Sequence, residues 1–503
     1  MLTPPQAAPG NSRSPCRYLS KNKFLLFYNN LIFHYDNCIP NGDRVQEPAM
    51  DHLVTASNDH TPKKPASAAI VRRQVKRLPG LLAWLCMAAT PVILLSGCQL
   101  VDMVRFSYAN ANATIQWAGD QQSTTVPFTM VDNHIIVPVQ VNGSQPLNFV
   151  LDSGAGASVI IDSRNSRALQ LKMGGEITVS GPGTGPDPTA HIVADTGLSL
   201  GEVSLQGLSV VYLPLQAIPF FDDLDHVYFD GVIGAPFFTR FMVEINYDQQ
   251  LLTLSEPAAA TEQPSNAGSG WREVPLEISS GVPYMSAQVN PTADRPVTVK
   301  LLVDTGFRGA LSLTPATHVD LDVPTEYLES VGQGLSGEIS SRVSLSDSLT
   351  LADYQLTGLP VGYAIDGGET ENESNGILGN EVLQQFNLIF DYPNERLFLQ
   401  PNTRFGTRIN ADRSGLQIRP HVAGGIIKEI AAGSSGQAST LQPGDIITSF
   451  DGIQVNYQNI TELKRVLASG HSSVNLCWLS EAMTHCDDLP LASRITDNHL
   501  FKP

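Results

Sequence analysis

Residues Phe149 to Ile160 read FVLDSGAGASVI. An apolar run ends in Asp152 and is followed at once by small residues, where the pattern on either side is that of a buried strand. A carboxylate taken out of water is costly unless it is hydrogen-bonded or paired. The placement of Asp152 therefore implies a partner.

An internal repeat supplies one. LLVDTGFRGALSL (301–313) sets Asp304 in the same place, 152 residues further on. LSLGEVSLQGLSV (198–210) matches LTLADYQLTGLPV (349–361) at an offset of 151. DGVIGAPFFTRFMVEINYDQQLLTL (230–254) matches NGILGNEVLQQFNLIFDYPNERLFL (375–399) at 145. Three blocks in one order at nearly constant offset indicate a duplicated lobe. Short Val/Leu/Ile-rich runs punctuated by Gly, Pro, Asn and Asp predict an all-β lobe. Asp248-Gln249 and Pro393-Asn394 read as hairpin turns, and 257–270 as a Pro/Ala/Ser/Gly linker. The lobes are expected over 125–256 and 271–402. A third triplet, Asp195-Thr196-Gly197, has no counterpart under the 151-residue offset and no preceding apolar run. It reads as a turn.

Asp152-Ser153-Gly154 and Asp304-Thr305-Gly306 resemble the paired active-site signatures of aspartic peptidases. Gly231-Val232-Ile233-Gly234 and Gly376-Ile377-Leu378-Gly379 resemble the apolar-Gly segment that follows each signature. With FDYPNERLFLQP closing the second lobe, the match over about 125–400 is nearest to bacterial retropepsin-like proteins. The resemblance implies two β lobes forming one cleft, with Asp152 and Asp304 as its catalytic pair. Physical chemistry leads to the same pair independently. Peptide hydrolysis without a metal or covalent intermediate needs a base for water and an acid for the carbonyl oxygen. Two carboxylates about 3 Å apart cannot both ionise, so they share a proton and supply both roles. Gly154 and Gly306 let the backbone fold tightly beneath each carboxylate. Ser153 and Thr305 are expected to hydrogen-bond across the lobe interface, and Gly234 and Gly379 to pack behind the loops. No cofactor is implied, and no Cys/His cluster has metal-ligand spacing. The bland alternative is that each Asp caps a turn of its own strand.

Gly-rich SGPGTGPDP (180–188) and SVGQGLSGE (330–338) occupy similar places after each signature. They read either as flaps over an extended peptide or as ordinary turns. The residue after the signature Gly is Ala155 in one lobe and Phe307 in the other. Pepsin-like enzymes carry a hydroxyl donor there. Without it, and with an apolar ring nearby, both dyad pKa values should be raised. The activity optimum is then expected at about pH 5–6. Phe307 also departs from the Ala typical of retroviral members, which bears on cleft width and substrate class.

After residue 400 the pattern changes. RSGLQIRP (413–420), LQPGDII (441–447), Asp451-Gly452 and NITELKRVL (459–467) resemble a PDZ domain, expected over 406–490 as a small β-sandwich or barrel with one or two helices. Gly415, Leu416, Gln417 and Ile418 sit where that family's carboxylate-binding loop belongs. This implies capture of peptide C-termini with strand addition beside the sheet.

The chain has 503 residues and a formal net charge of −18, which argues against nucleic acid as partner. Residues 1–97 carry 11 Lys+Arg and 5 Asp+Glu, leaving 20 against 44, a net −24, for the remainder. Arg72, Arg73, Lys76 and Arg77 precede an uncharged run ending in Leu95-Ser96-Gly97-Cys98, the order of a secretory signal. Those four residues resemble the lipobox of bacterial lipoproteins. The resemblance implies lipidation of Cys98, an anchor linker over 98–124, and a periplasm-facing place, outer membrane by the Gln99 rule. The alternative is an uncleaved anchor over Leu81 to Gly97. Residues 1–49 fit no part of that signal and read as an upstream extension. Beyond Cys98 only Cys477 and Cys486 remain. An oxidising compartment permits them to pair across a hairpin, with two free thiols as the alternative.

The expectation as a whole is a mainly β, two-lobed aspartic endopeptidase acting on extended or unfolded polypeptides. Its rival is a non-catalytic peptide-binding lipoprotein of the same fold.

Overall fold

The computed structural model describes residues 101–493 except 219–220, 222–223, 258–269 and 292–294. Cys98, the segment before it and most of the 257–270 linker lie outside the described residues.

The chain is mainly β. Period-2 alternation builds the lobes: Ser123–Pro127 alternates exposed and buried residues, whereas Leu147–Leu151 is buried at four of its five positions. A strand buried at nearly every position belongs in the middle of a layer. Leu147–Leu151 accordingly lies between His134–Val141, antiparallel, and Gly231–Ile233, parallel, within a nine-stranded sheet. The second lobe repeats the arrangement in an eight-stranded sheet, with Val297–Asp304 between Val282–Asn290 and the parallel Gly376–Gly379.

A third sheet of six strands joins the lobes. Met242–Asn246 of lobe one pairs antiparallel with Phe386–Asp391 of lobe two, with Val243 opposite Phe390 and Ile245 opposite Leu388. One apolar core runs through both lobes, from Phe149 and Leu151 to Leu301 and Val303. Both hairpin turns occur where expected. Gln250 ends the first with φ 54° and Glu395 the second with φ 54°.

Two expectations need correction. The stretch 98–124, read as a linker, is folded wherever it is described. Residues 101–111 are helical and bury Phe106, and Thr114–Trp117 pairs with Val203–Gln206. Trp117 meets Phe241 edge-on at 5.8 Å and donates Nε1–H to Glu256. Large apolar side chains at regular spacing find a core face rather than remaining in water. Asp195, read as a turn, is exposed in the long strand Thr189–Leu200 with φ 54°. There the register against Val203–Leu213 shifts, so the triplet marks a bulge.

The C-terminal module is a separate six-stranded sheet with its own core. Leu416–His421 forms one edge, and helix Ile460–Leu467 buries Ile460, Leu463 and Leu467. Cys477 and Cys486 face each other in the hairpin of Ser473–Ser480 and Met483–Pro490, Cα atoms 4.1 Å apart, and form a disulfide.

Candidate active site

Each signature Asp ends or follows a central strand whose parallel neighbour is the matching apolar-Gly segment. Asp152 N–H donates to Ile233 O at 3.0 Å, and Asp304 stands opposite Gly379 in register. Behind each loop the chain turns into a short helix. Ala235 N–H donates to Ala155 O at 2.8 Å and Asn380 N–H to Phe307 O at 2.7 Å. A side chain on Gly234 or Gly379 would collide with those loops: an added Cβ falls 2.3 Å from Ala155 O and 2.2 Å from Gly309 O. These glycines are spacers that let strand and loop touch.

The two turns are tied by a reciprocal set of hydrogen bonds. Ser153 N–H donates to Thr305 Oγ1 and Thr305 N–H to Ser153 Oγ, each at 3.0 Å. Each hydroxyl then donates into the opposite strand, Ser153 to Val303 O at 2.7 Å and Thr305 to Leu151 O at 2.8 Å. Both side chains are fully buried, so these bonds are shielded from competing water. Tyr392 O–H adds a bond to Ser153 O at 3.2 Å from below.

This brings the two carboxyls into hydrogen-bonding contact with each other. Asp152 Oδ1 accepts from Gly154 N–H at 2.8 Å. Asp304 Oδ1 accepts from Gly306 N–H at 2.7 Å and Phe307 N–H at 3.0 Å. Burial pushes both carboxyls above the ordinary range. The push is larger at Asp152, where the charge of Asp304 adds to it. The pair therefore holds one proton over a broad pH range, and its titration belongs to both residues together.

Phe307 takes part through its backbone. Its ring packs beside Val282, Tyr284, Leu302 and Ile377 in the wall, while its N–H replaces one missing hydroxyl donor at Asp304. The dyad opens into a cavity of about 1680 Å³. Its roof is formed by the two Gly-rich segments, which bond to one another across the lobes. Gly185 N–H donates to Ser336 O at 2.6 Å, Thr184 N–H to Glu338 O at 3.0 Å, and Ser336 N–H to Pro182 O at 3.0 Å. Gly183, at φ 139° and with Ser336 C only 2.3 Å from where a Cβ would stand, is required for that close meeting.

The turn Asp132-Asn133-His134 is a brace that sequence reading missed. All three residues hold the second signature loop from lobe one. Asn133 Nδ2–H donates to Arg308 O at 3.0 Å, and Asp132 pairs with the Arg308 guanidinium. His134 Nε2 lies 2.9 Å from Gly306 O, which can only accept, so the imidazole proton is on Nε2. Nδ1 is then left to accept from Tyr228 O–H at 2.7 Å. Burial lowers the His134 pKa to about 3, so the ring is neutral. Asp132 also pairs with Lys464, from the helix of the C-terminal module. These partners lie 176 and 332 residues from Asp132, beyond any local pattern. The one available signal was a charged and an imidazole side chain inside the apolar hairpin FTMVDNHIIVPV.

Two further acids face the cavity. Burial raises Glu369 and Glu381 each to about 7. Among the described residues no group of three His, Cys, Asp or Glu is arranged to hold a metal ion.

The proposed carboxylate cradle needs correction. Ser414 and Gly415 donate their N–H groups to the Asp412 carboxylate, at 3.2 and 2.5 Å, and Leu416 N–H donates to Ser414 Oγ at 3.1 Å. Leu416 and Ile418 are buried in the module core, and Gln417 Nε2–H donates to Val331 O of lobe two at 2.6 Å.

Residues 137–237, which contain Asp152 and Gly234, match the aspartyl protease family model, and 426–478 match that of the PDZ domain. No curated protein matches the chain. Among solved structures, the aspartic proteinase from Irpex lacteus is similar at 13% identity and a TM-score of 0.34. The match covers 57% of this chain and 99% of that one. By the two family models, the chain joins an aspartyl-protease-like region to a PDZ domain.

Proposed function

We propose that this protein is an aspartic endopeptidase that hydrolyses extended or unfolded polypeptides, with its PDZ domain assisting their recognition. The observation that carries the reading is the hydrogen-bonded Asp152–Asp304 pair in the floor of the cavity. In this mechanism Asp304, held by two backbone N–H groups, takes a proton from the attacking water. Asp152 gives its proton to the scissile carbonyl oxygen as the water oxygen bonds to the carbonyl carbon. The C–N bond then breaks, with proton return to the leaving amine. Asp152→Asn and Asp304→Asn should each abolish cleavage of an unfolded protein, the double variant being no worse, because the pair acts as one unit. Asp195→Asn should leave cleavage intact. Residual turnover in Asp304→Asn sinks the dyad.

We also propose that the mature protein is a lipid-anchored bacterial envelope protein attached through Cys98. The support is Leu95-Ser96-Gly97 before the cysteine and the basic-then-apolar order upstream. Cys98→Ala should release the protein from membranes or leave it unprocessed. Intact mass showing cleavage elsewhere with an unmodified Cys98 would refute the anchor.

A further inference from the structure

The cavity that holds the dyad does not end at the lobes. It continues along the PDZ domain, lined there by Gln417 and Ile418 of the edge strand and by Thr461, Lys464 and Ala468 of the helix. Among the described residues Leu416–His421 pairs with Gly424–Ile430 on one side only, so its other edge carries the backbone groups that strand addition uses. Thr461 Oγ1, in the same wall, is buried with no hydrogen-bond partner among the described residues. Such a group is costly unless something polar comes to it.

The domain is fixed in this place by contacts to both lobes. Lys464 pairs with Asp132, and Tyr457 O–H and Val422 N–H each donate to Asp225 O at 3.1 Å. Gln417 reaches Val331 O in Leu328–Gly334, the outer strand of the lobe-two flap. The groove and the dyad therefore open onto one space. At the end where a peptide carboxylate would be received, Asp412 already engages the Ser414 and Gly415 amides.

We propose that the PDZ groove and the dyad cleft bind one continuous extended segment, an internal stretch of unfolded polypeptide recognised through its backbone. Asp412 stands where a C-terminal carboxylate would bind. The bound chain adds a strand to Leu416–His421, and the same chain crosses beneath the flap to the dyad. Recognition needs no free C-terminus, and the second contact is intramolecular once the first is made. What then happens to the bound chain rests on the proteolytic reading above; the binding itself does not.

The test uses the full-length Asp304→Asn protein, which holds a chain without cutting it, and β-casein as an unfolded probe. Hydrogen exchange with bound casein should slow amides in both 328–334 and 416–421. Protection confined to one of the two segments, or absent from both, overturns the proposal. Two casein-derived peptides of the same sequence, one with a free C-terminal carboxylate and one amidated, should bind within about twofold of each other. Asp412→Ala should shift that preference towards the free acid by about tenfold, the worth of a charge-assisted hydrogen bond. A preference of more than about tenfold for the free acid in the Asp412-containing protein overturns the internal mode. Ala468→Trp, which fills the groove, should weaken casein binding at least about tenfold with the melting temperature unchanged. Unaltered affinity in that variant counts against the groove. If wild-type protein leaves casein uncut while exchange shows both segments protected, the proteolytic reading falls and this inference stands.

Discussion

Gly154 faces Asp304 so closely that a Cβ placed on it would lie 2.7 Å from the Asp304 carboxyl carbon. Gly306 faces Asp152 in the same way, at 2.4 Å. Each signature glycine thus makes room for the carboxyl of the opposite lobe, and the small residue in one half of the repeat is explained only by the acid in the other. Gly306→Ala should consequently push Asp152 out of line while the lobes stay folded. A displacement near 1 Å costs about 100-fold in turnover, so kcat should fall by at least that much with circular dichroism unchanged. Near-normal kcat in a folded Gly306→Ala protein would show that the carboxyls are less tightly set.

The Asp132 brace predicts that the PDZ domain acts on the Asp152–Asp304 site as well as on substrate. Lys464→Met should lower kcat more than it raises KM, and Lys464→Arg should restore most of the loss. Asp132→Ala removes the partner of two cations at once. Breaking a buried pair costs about 3–5 kcal/mol. The lower end is expected, because Arg308 and Lys464 keep side chains 25% and 34% exposed. Denaturant unfolding of all three variants, with steady-state kinetics beside it, checks this. Equal kcat in wild type and Lys464→Met would reduce Lys464 to a docking contact.

Dyad pKa values raised by burial place the activity maximum at about pH 5–6, because turnover needs one proton on the pair. Raised values shift the acid limb upward from the very low range of a hydroxyl-supported dyad. A pH–rate profile of kcat/KM measures it, with folding monitored at each pH. A maximum below about pH 3.5 would mean that the Phe307 and Gly306 amides fully replace the missing hydroxyls.

Glu369 offers a separate pH test. Its pKa rises from 4.5 to about 7 on folding because the carboxyl is buried. The folded state therefore holds a proton that the unfolded chain has released. Stability from this group is complete below pH 4.5 and falls as pH rises towards 7. Glu369→Gln keeps an oxygen to accept the Glu371 N–H and removes that loss. It should stabilise the protein by up to about 3 kcal/mol at pH 8 and leave stability at pH 4 unchanged. No gain at pH 8 would place Glu369 in water.

Reducing the Cys477–Cys486 bond should loosen the PDZ domain and spare the lobes, whose core is separate. Closing so short a loop is worth about 2–3 kcal/mol in the chain-entropy account. Calorimetry with and without reductant should move one transition. Movement of both would show that the lobes depend on PDZ docking.

Local pattern and repetition were enough to place much of this molecule. FVLDSGAGASVI and LLVDTGFRGALSL carry their message in composition: an apolar strand, an acid and small residues, twice over, require a paired buried site. The hairpin turns and the Cys477–Cys486 juxtaposition are likewise legible, because turn residues and strand alternation act over a few positions. Tertiary structure decided what depends on approach between distant segments. Asp132, Asn133 and His134 look like an ordinary polar turn until Arg308 and Gly306 are brought beside them. Phe106 and Trp117 looked like linker residues because the strands and core that receive them belong to later parts of the lobe, Val131 to Phe229 for Phe106 and Val203 and Phe241 for Trp117. SGLQI has the right residues for a carboxylate cradle, yet Asp412 folds back onto its amides, a choice made by side-chain geometry. Lys464 belongs to one domain by sequence and to the brace of the Asp152–Asp304 site by position. Hydrophobic periodicity specifies which face of an element is buried, but not which distant charge waits opposite it.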